Sequence, residues 1–275
     1  MPATTAAEKL INAPSSSSRN RYRPEIDGLR AFAVVAVIIN HFNKELLPSG
    51  YLGVDIFFVI SGFVITSSLA NKSYANTVEL LKSFYARRCK RLLPTLLVFT
   101  ITTSILITLV NPNPGNYLLA GISGLFGVSN IYLYSNATDY FAQSAELNPF
   151  LHTWSLGVEM SFYFVWSIIL IYLIKLLKQK QIIFFLIITS ILSLVFIEYI
   201  YTKGLLFETD LFGGFFYGKY ISDTLFYNAP FRLFEFFFGC ILCFIPKKKY
   251  GDFTNQSFFI LGLFLIFCSI LILNY

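Results

Sequence analysis

Two side chains suited to anion binding and proton transfer share one face of the first apolar segment. Arg30 and His41 are 11 residues apart, which in an α-helix is about three turns and roughly 16 Å. Eleven steps of about 100° exceed three full turns by only about 20°, so both side chains point the same way. The pair predicts a guanidinium near the cytosolic end of a helix and an imidazole acting as a general base in its outer half. The alternative for His41 is a histidine at the end of a short helix, beside Asn40 and Asn43.

Two carboxylates interrupt other apolar segments, Asp55 near the start of one and Glu159 about a turn inside another. An ionisable group at membrane depth is costly, so its presence indicates function or a specific partner. Glu159 would be very unfavourable there if it were charged and unpaired. We expect Asp55 or Glu159 to lie beside His41 and to hold its imidazole in one tautomer. These three residues are the predicted catalytic set.

An arginine cluster precedes the third apolar segment in the sequence FYARRCKRLLP, residues 84–94. Arg87, Arg88 and Arg91 are three and four residues apart, which places them on one side of a helix. Guanidinium groups suit phosphate because they form paired hydrogen bonds with it. We therefore predict that these three residues and Arg30 bind an anionic cofactor. The alternative is an ordinary basic anchor on the cytosolic side of the membrane.

Four further polar or aromatic residues are predicted to contact substrate or to support the structure: Ser61, Trp154, Arg232 and Glu235. Ser61 lies among glycines that permit close helix approach, and packing is the favoured interpretation for it. Arg232 and Glu235 are three residues apart on one helix face, which favours a structural ion pair. His152, at the predicted water boundary, is interpreted as a surface residue.

The composition defines the elements that must position these residues. Hydrophobic residues make up 56% of the chain and charged residues only 13%. Several apolar runs reach the roughly 17–25 residues needed to cross a bilayer, which predicts an all-α polytopic membrane protein. The net charge of +6 comes from Lys and Arg in short loops between apolar runs, so nucleic acid is excluded as a partner. Four cysteines and two histidines form no convincing metal set, and no metal is predicted,.

The apolar runs lie at 29–42, 53–70, 92–110, 118–134, 156–174, 182–201, 230–246 and 258–275. Placing every basic loop in the cytosol requires an even number of crossings between those loops. The run at 118–134 is rich in Gly, Ser and Asn, so we interpret it as re-entrant or interfacial. The prediction is a bundle of about seven to eight transmembrane helices with a cytosolic N-terminus. Residues 1–22 are predicted to be a disordered cytosolic tail, and 23–275 the transmembrane domain.

Five segments in order carry a resemblance: RPEIDGLRA (23–31) with the following His41, GVDIFFVISGF (53–63), RRCKRLLP (87–94), HTWSLGVE (152–159) and RLFEFFFG (232–239). Together they resemble acyltransferase family 3, a family of integral membrane acyltransferases. The resemblance implies transfer of an acyl group, commonly acetyl, from cytosolic acyl-CoA to a hydroxyl of an extracytoplasmic glycan. Typical acceptors are the O-antigen of lipopolysaccharide, peptidoglycan and exopolysaccharide, and the implied location is the bacterial inner membrane.

The resemblance also sets expectations about length and leaves two other functions open. Family members usually have about ten spans, often followed by an esterase-like domain, so we expect this chain to be incomplete at its C-terminus. One alternative function is a transporter or proton relay, with His41, Asp55 and Glu159 lining a translocation path. The other is an inactive, truncated family member.

Overall fold

The computed structural model describes residues 23–70, 76–137, 147–207 and 221–245, with short helical pieces between 256 and 266. The predicted tail at 1–22 and much of the last predicted span lie outside the described residues. Every regular element in the described residues is a helix. The elements are α1 (Pro24–Phe42), α2 (Leu52–Ala70), α3 (Thr77–Val110), α4 (Gly115–Leu125), α5 (Ser129–Ala137), α6 (Thr153–Leu176), α7 (Gln179–Phe207), α8 (Ile221–Tyr227), a 3₁₀ turn (Ala229–Arg232) and α9 (Leu233–Phe244).

Four of these helices are long and apolar enough to cross a membrane: α2, α3, α6 and, over Gln179–Thr202, α7. The chain is therefore a multi-pass membrane protein. The predicted count of seven to eight spans is not confirmed in the described part of the chain. Helix α1 has 19 residues but carries Glu25, Asp27 and Arg30. Helix α9 has only 12 residues, about 18 Å of helix against a hydrocarbon layer of about 30 Å.

The predicted re-entrant or interfacial segment at 118–134 is divided into two helices. Helix α4 ends at Leu125 and α5 begins at Ser129. Between them Gly127 adopts a φ of 71°, a left-handed conformation that glycine tolerates without steric cost. Neither helix is long enough to cross a bilayer. The break agrees with leaving this segment out of the crossings, while its re-entrant or interfacial position stays a prediction.

Helices α2, α6 and α9 form the centre of the bundle and run in the same direction. Residue numbers rise together along all three helices, which is possible only for parallel packing. The predicted parity of crossings requires this direction for each of the corresponding apolar runs. The successive contacts along α2 are Asp55 with Arg232, Phe58 with Trp154 and Phe236, Gly62 with Cys240, and Thr66 with Trp166.

Glycines allow α2 to approach its neighbours closely, as the sequence predicts. Gly53 lies against the α1 backbone at Ala33, and a Cβ on Gly62 would overlap the carbonyl oxygen of Phe236 in α9. In a lipid environment helices associate mainly through such close van der Waals packing. The hairpin between α1 and α2 is closed by Asn40, whose side-chain amide donates hydrogen bonds of 2.8 and 2.9 Å to two loop carbonyl oxygens.

Replacing Gly62 with valine tests the α2–α9 contact. The added side chain meets backbone rather than a flexible side chain. We therefore expect the free energy of unfolding to fall by about 1–3 kcal/mol. In a detergent-solubilised protein this corresponds to a thermal unfolding midpoint lower by at least about 3 °C. Gly115→Val is the matched control, because nothing lies within 4 Å of its position. Equal melting of the two variants would contradict the proposed tight contact.

Candidate functional site

Five arginines line one cavity of about 400 Å³ between α1, α2 and α3. The predicted anion-binding residues Arg30, Arg87, Arg88 and Arg91 are all in this lining, so the structure brings the predicted set together. The rest of the lining was not predicted, although Arg23 precedes Arg30 by seven residues, which is about two helical turns. The additional polar residues are Arg23, Asp27, Ser67 and Ser68, and the apolar ones are Ile26, Phe63, Val64 and Phe84.

Aromatic rings hold several of these guanidinium groups in place. Arg88 lies over Tyr163 at 4.9 Å and over Phe84 at 5.6 Å, and Arg30 lies over Phe57 at 5.9 Å. Such cation–π contacts position a guanidinium while leaving its N–H groups available. The Nε of Arg30 is buried and has no hydrogen-bond partner among the described residues. The cavity therefore offers fixed positive charge and unused donors to an anion.

Glu159 lies at the depth of the arginine cavity and interacts electrostatically with Arg30. Its carboxylate accepts hydrogen bonds from the hydroxyls of Ser61 and Tyr163, and Tyr163 is the ring under Arg88. The predicted placement of Glu159 beside His41 is therefore wrong. Helix α6 begins at Thr153, so Glu159 lies nearly two turns inside it and reaches the depth of Ser61.

The contacts of Gly53 show how far Glu159 and His41 are separated along the helices. It contacts α1 at Ala33 and Val37, and His41 lies a further turn along α1 in one direction. Ser61 lies eight residues along α2 in the other direction, about 12 Å at 1.5 Å per residue. Glu159 and His41 are thus at opposite levels of the bundle.

His41 occupies the last turn of α1 and is oriented by the backbone. Its Nδ1 lies 2.8 Å from the carbonyl oxygen of Val37. Because a carbonyl can only accept, Nδ1 carries the proton, and in the neutral imidazole Nε2 then keeps its lone pair. The predicted orientation of His41 by Asp55 or Glu159 is wrong, since a main-chain oxygen has that role. The imidazole instead contacts His152, with ring centroids 4.6 Å apart and planes at 83°.

Asp55 is part of an ion cluster that joins α2 to the start of α9. Its carboxylate lies 3.4 Å from a guanidinium nitrogen of Arg232, which also binds Glu235 at 3.0 Å. The predicted pairing of Arg232 with Glu235 is confirmed, and Asp55 joins it. Arg232 also lies 5.8 Å from the ring of Trp154, which is only 6% exposed. Through these contacts Asp55, Arg232, Glu235 and Trp154 join α2, α6 and the start of α9 at this level of the bundle.

His152 is interpreted from the sequence as a surface residue, and its contact with His41 was not predicted. It is the residue immediately before α6, and it is exposed. Partial desolvation by its neighbours, and to a lesser extent the His41 imidazole, lower the pKa of His152. A usable signal was present, because the chain has only two histidines and both lie at segment ends predicted to face outward.

Comparison with known proteins identifies the family to which the chain is similar. A family model described as an acyltransferase domain matches residues 23–275. The O-acetyltransferase OatA of Staphylococcus aureus strain NCTC 8325 is 37% identical over 227 residues, covering 82% of this chain and 35% of that protein. The peptidoglycan O-acetyltransferase OatA of Listeria monocytogenes is 33% identical over 227 residues, covering 82% of this chain and 34% of that protein.

The chain spans about a third of the length of these curated relatives. No solved structure matches it. The family match begins at Arg23, contains all five resembling segments, and includes every residue of the arginine cavity and both histidines. This chain is therefore a member of acyltransferase family 3.

Proposed function

We propose that this chain is a membrane O-acyltransferase that moves an acyl group, most simply acetyl, from acyl-CoA to a hydroxyl of a cell-envelope glycan such as peptidoglycan. One observation carries the proposal. Helix α1 bears Arg30 in an arginine-lined cavity and, 11 residues later, His41 with a free Nε2 lone pair. Relatives named as O-acetyltransferases support the reaction type.

The arginine cavity is the proposed docking site for the phosphates of acyl-CoA. Its guanidinium groups come from both α1 and α3, so a polyphosphate would be held from two sides,. The hydroxyls of Ser67 and Ser68 supply further hydrogen-bond donors on α2. Oε1 of Glu159 accepts hydrogen bonds from both Ser61 and Tyr163, which limits the competition of that oxygen with phosphate for the arginines.

His41 is the proposed general base of the transfer. Its Nε2 takes the proton of the acceptor hydroxyl as that oxygen attacks the thioester carbonyl carbon. The tetrahedral intermediate collapses by breaking the carbon–sulfur bond, and the departing thiolate receives the proton as free CoA thiol. The products are a glycan acyl ester and CoA. The roughly 16 Å between Arg30 and His41 is a span that the extended pantetheine arm can cover.

The charge pattern supports a direction for this reaction. The arginine cavity lies at the basic side of the bundle, which the positive-inside bias assigns to the cytosol,. His41 and His152 lie at the other end of the same helices. The donor would therefore enter from the cytosol, and the glycan would meet the acyl group at the opposite face.

Replacing His41 with alanine should abolish most transfer without releasing the donor. We expect kcat to fall about 10²–10⁴-fold, the usual contribution of a positioned general base, with the KM for acetyl-CoA little changed. The measurement is transfer of labelled acetyl from acetyl-CoA to chitotetraose by the chain in proteoliposomes. Lys44→Ala is the control, because Lys44 is an exposed residue near His41. Wild-type turnover by His41→Ala would eliminate the assignment.

Replacing Arg88 with glutamine should affect the donor instead. Loss of a charge-assisted hydrogen bond of about 1.5–3 kcal/mol should raise the KM for acetyl-CoA about 10–100-fold and change kcat less. Lys90→Gln is the matched control, since it removes a charge from the same helix at a residue outside the cavity lining. If kcat falls while KM stays constant, phosphate docking at Arg88 is refuted.

A further inference from the structure

The two histidines of the chain meet at one point, although they are distant in sequence. The ring centroids of His41 and His152 are 4.6 Å apart, and the planes are nearly perpendicular at 83°. In this arrangement the edge of one ring faces the π-surface of the other. Two imidazoles are therefore available where the acyl transfer is proposed to occur, and the mechanism above uses only one of them.

Both imidazoles are attached to firmly held backbone. His41 precedes a loop that the buried Asn40 side chain closes with two hydrogen bonds. On the other side, His152 lies between the fully buried Phe150 and the largely buried Trp154. The rings are thus placed by packed elements, which is what a preorganised catalytic pair requires.

Packing and hydrogen bonds also hold the segment that precedes α6. Phe150 packs against the α-carbon of Gly121 in α4. The Thr153 hydroxyl donates a hydrogen bond of 2.7 Å to the Phe150 carbonyl oxygen. The Ser129 hydroxyl donates a hydrogen bond of 2.6 Å to the Thr153 carbonyl oxygen. The broken segment α4–α5 therefore fixes the position of His152, which gives that segment a role in the site.

The two rings differ in what they can do with a proton. His41 holds its Nδ1 proton on the Val37 carbonyl and presents Nε2 as an acceptor. Partial desolvation and the adjacent His41 lower the pKa of His152, which favours the neutral ring, and a neutral imidazole keeps one N–H donor. A second positive charge in contact with a protonated His41 would also be unfavourable. The pair is suited to one base and one neutral donor.

We propose that His152 is a second catalytic residue, which donates its N–H to the oxyanion of the tetrahedral intermediate formed at His41. This inference rests on the proposed acyl transfer. As the acceptor oxygen attacks, the carbonyl electron pair moves to oxygen and is stabilised by the His152 N–H, while His41 Nε2 holds the hydroxyl proton. Collapse returns the electron pair to the carbonyl, breaks the carbon–sulfur bond and delivers the proton to the thiolate. His152 is unchanged at the end.

Two substitutions separate this role from simple ring packing. His152→Phe keeps an aromatic ring for the edge contact with His41 but has no N–H donor. His152→Gln loses the ring but keeps an amide N–H donor. Both are assayed in proteoliposomes with labelled acetyl-CoA and chitotetraose, with the KM for acetyl-CoA and the thermal midpoint recorded to exclude a folding defect.

We expect His152→Phe to lower kcat about 10²–10³-fold, the usual effect of removing one oxyanion donor, with the KM for acetyl-CoA unchanged. His152→Gln should exceed the phenylalanine variant by at least about tenfold in kcat. A glutamine variant no more active than the phenylalanine variant would overturn the donor role, and so would full activity of His152→Phe. Absence of transfer by the unmodified chain would refute the proposed function itself, so the two failures are distinguishable.

Discussion

The close approach of α2 to its neighbours is the contact on which the rest of the structure depends. The backbone of α2 meets α1 at Gly53 and α9 at Gly62, and Gly239 of α9 lies against the backbone of α2 in return. In lipid there is little hydrophobic drive between helices, so such small-residue contacts determine which helices associate. They set the depth of α1 and of α9 against α2, and with it the depth of the polar side chains that these helices carry.

The relative depths of the helices separate two polar layers. At one level the Glu159 carboxylate lies near the arginine cavity, and its Oε1 accepts hydrogen bonds from Ser61 and Tyr163. At the other level Arg232 is shared between Asp55 and Glu235. Ionisable groups within a membrane protein are tolerated when they are paired in this way. The separation leaves His41 without an ionic partner in the described part of the chain, so it can serve as a base.

The orientation of His41 by a backbone carbonyl has a chemical consequence. A carboxylate partner would stabilise the protonated imidazole strongly, whereas a main-chain oxygen fixes the tautomer with a smaller electrostatic effect. The contact with His152 adds a second ring rather than a charge. The proposed site thus pairs two imidazoles, which suits a reaction whose proposed acceptor is an uncharged hydroxyl.

Features that depend on local helical periodicity or on overall composition could be derived from the sequence. The membrane class follows from the apolar runs, although the number of spans does not. The shared face of Arg30 and His41, the grouping of Arg87, Arg88 and Arg91, and the pairing of Arg232 with Glu235 follow from spacings within one helix, because those spacings are set by 3.6 residues per turn.

Features that depend on the relative depth of two helices were decided only by the tertiary structure. The placement of Glu159 with Ser61, of Asp55 with Arg232 and of His152 against His41 depends on where each helix begins and how far it slides along its neighbour. A shift of one turn moves a side chain by about 5.4 Å, enough to exchange one partner for another. The sequence by itself therefore determined which residues could do chemistry on each helix. The packing of the helices against one another decided which of those residues meet.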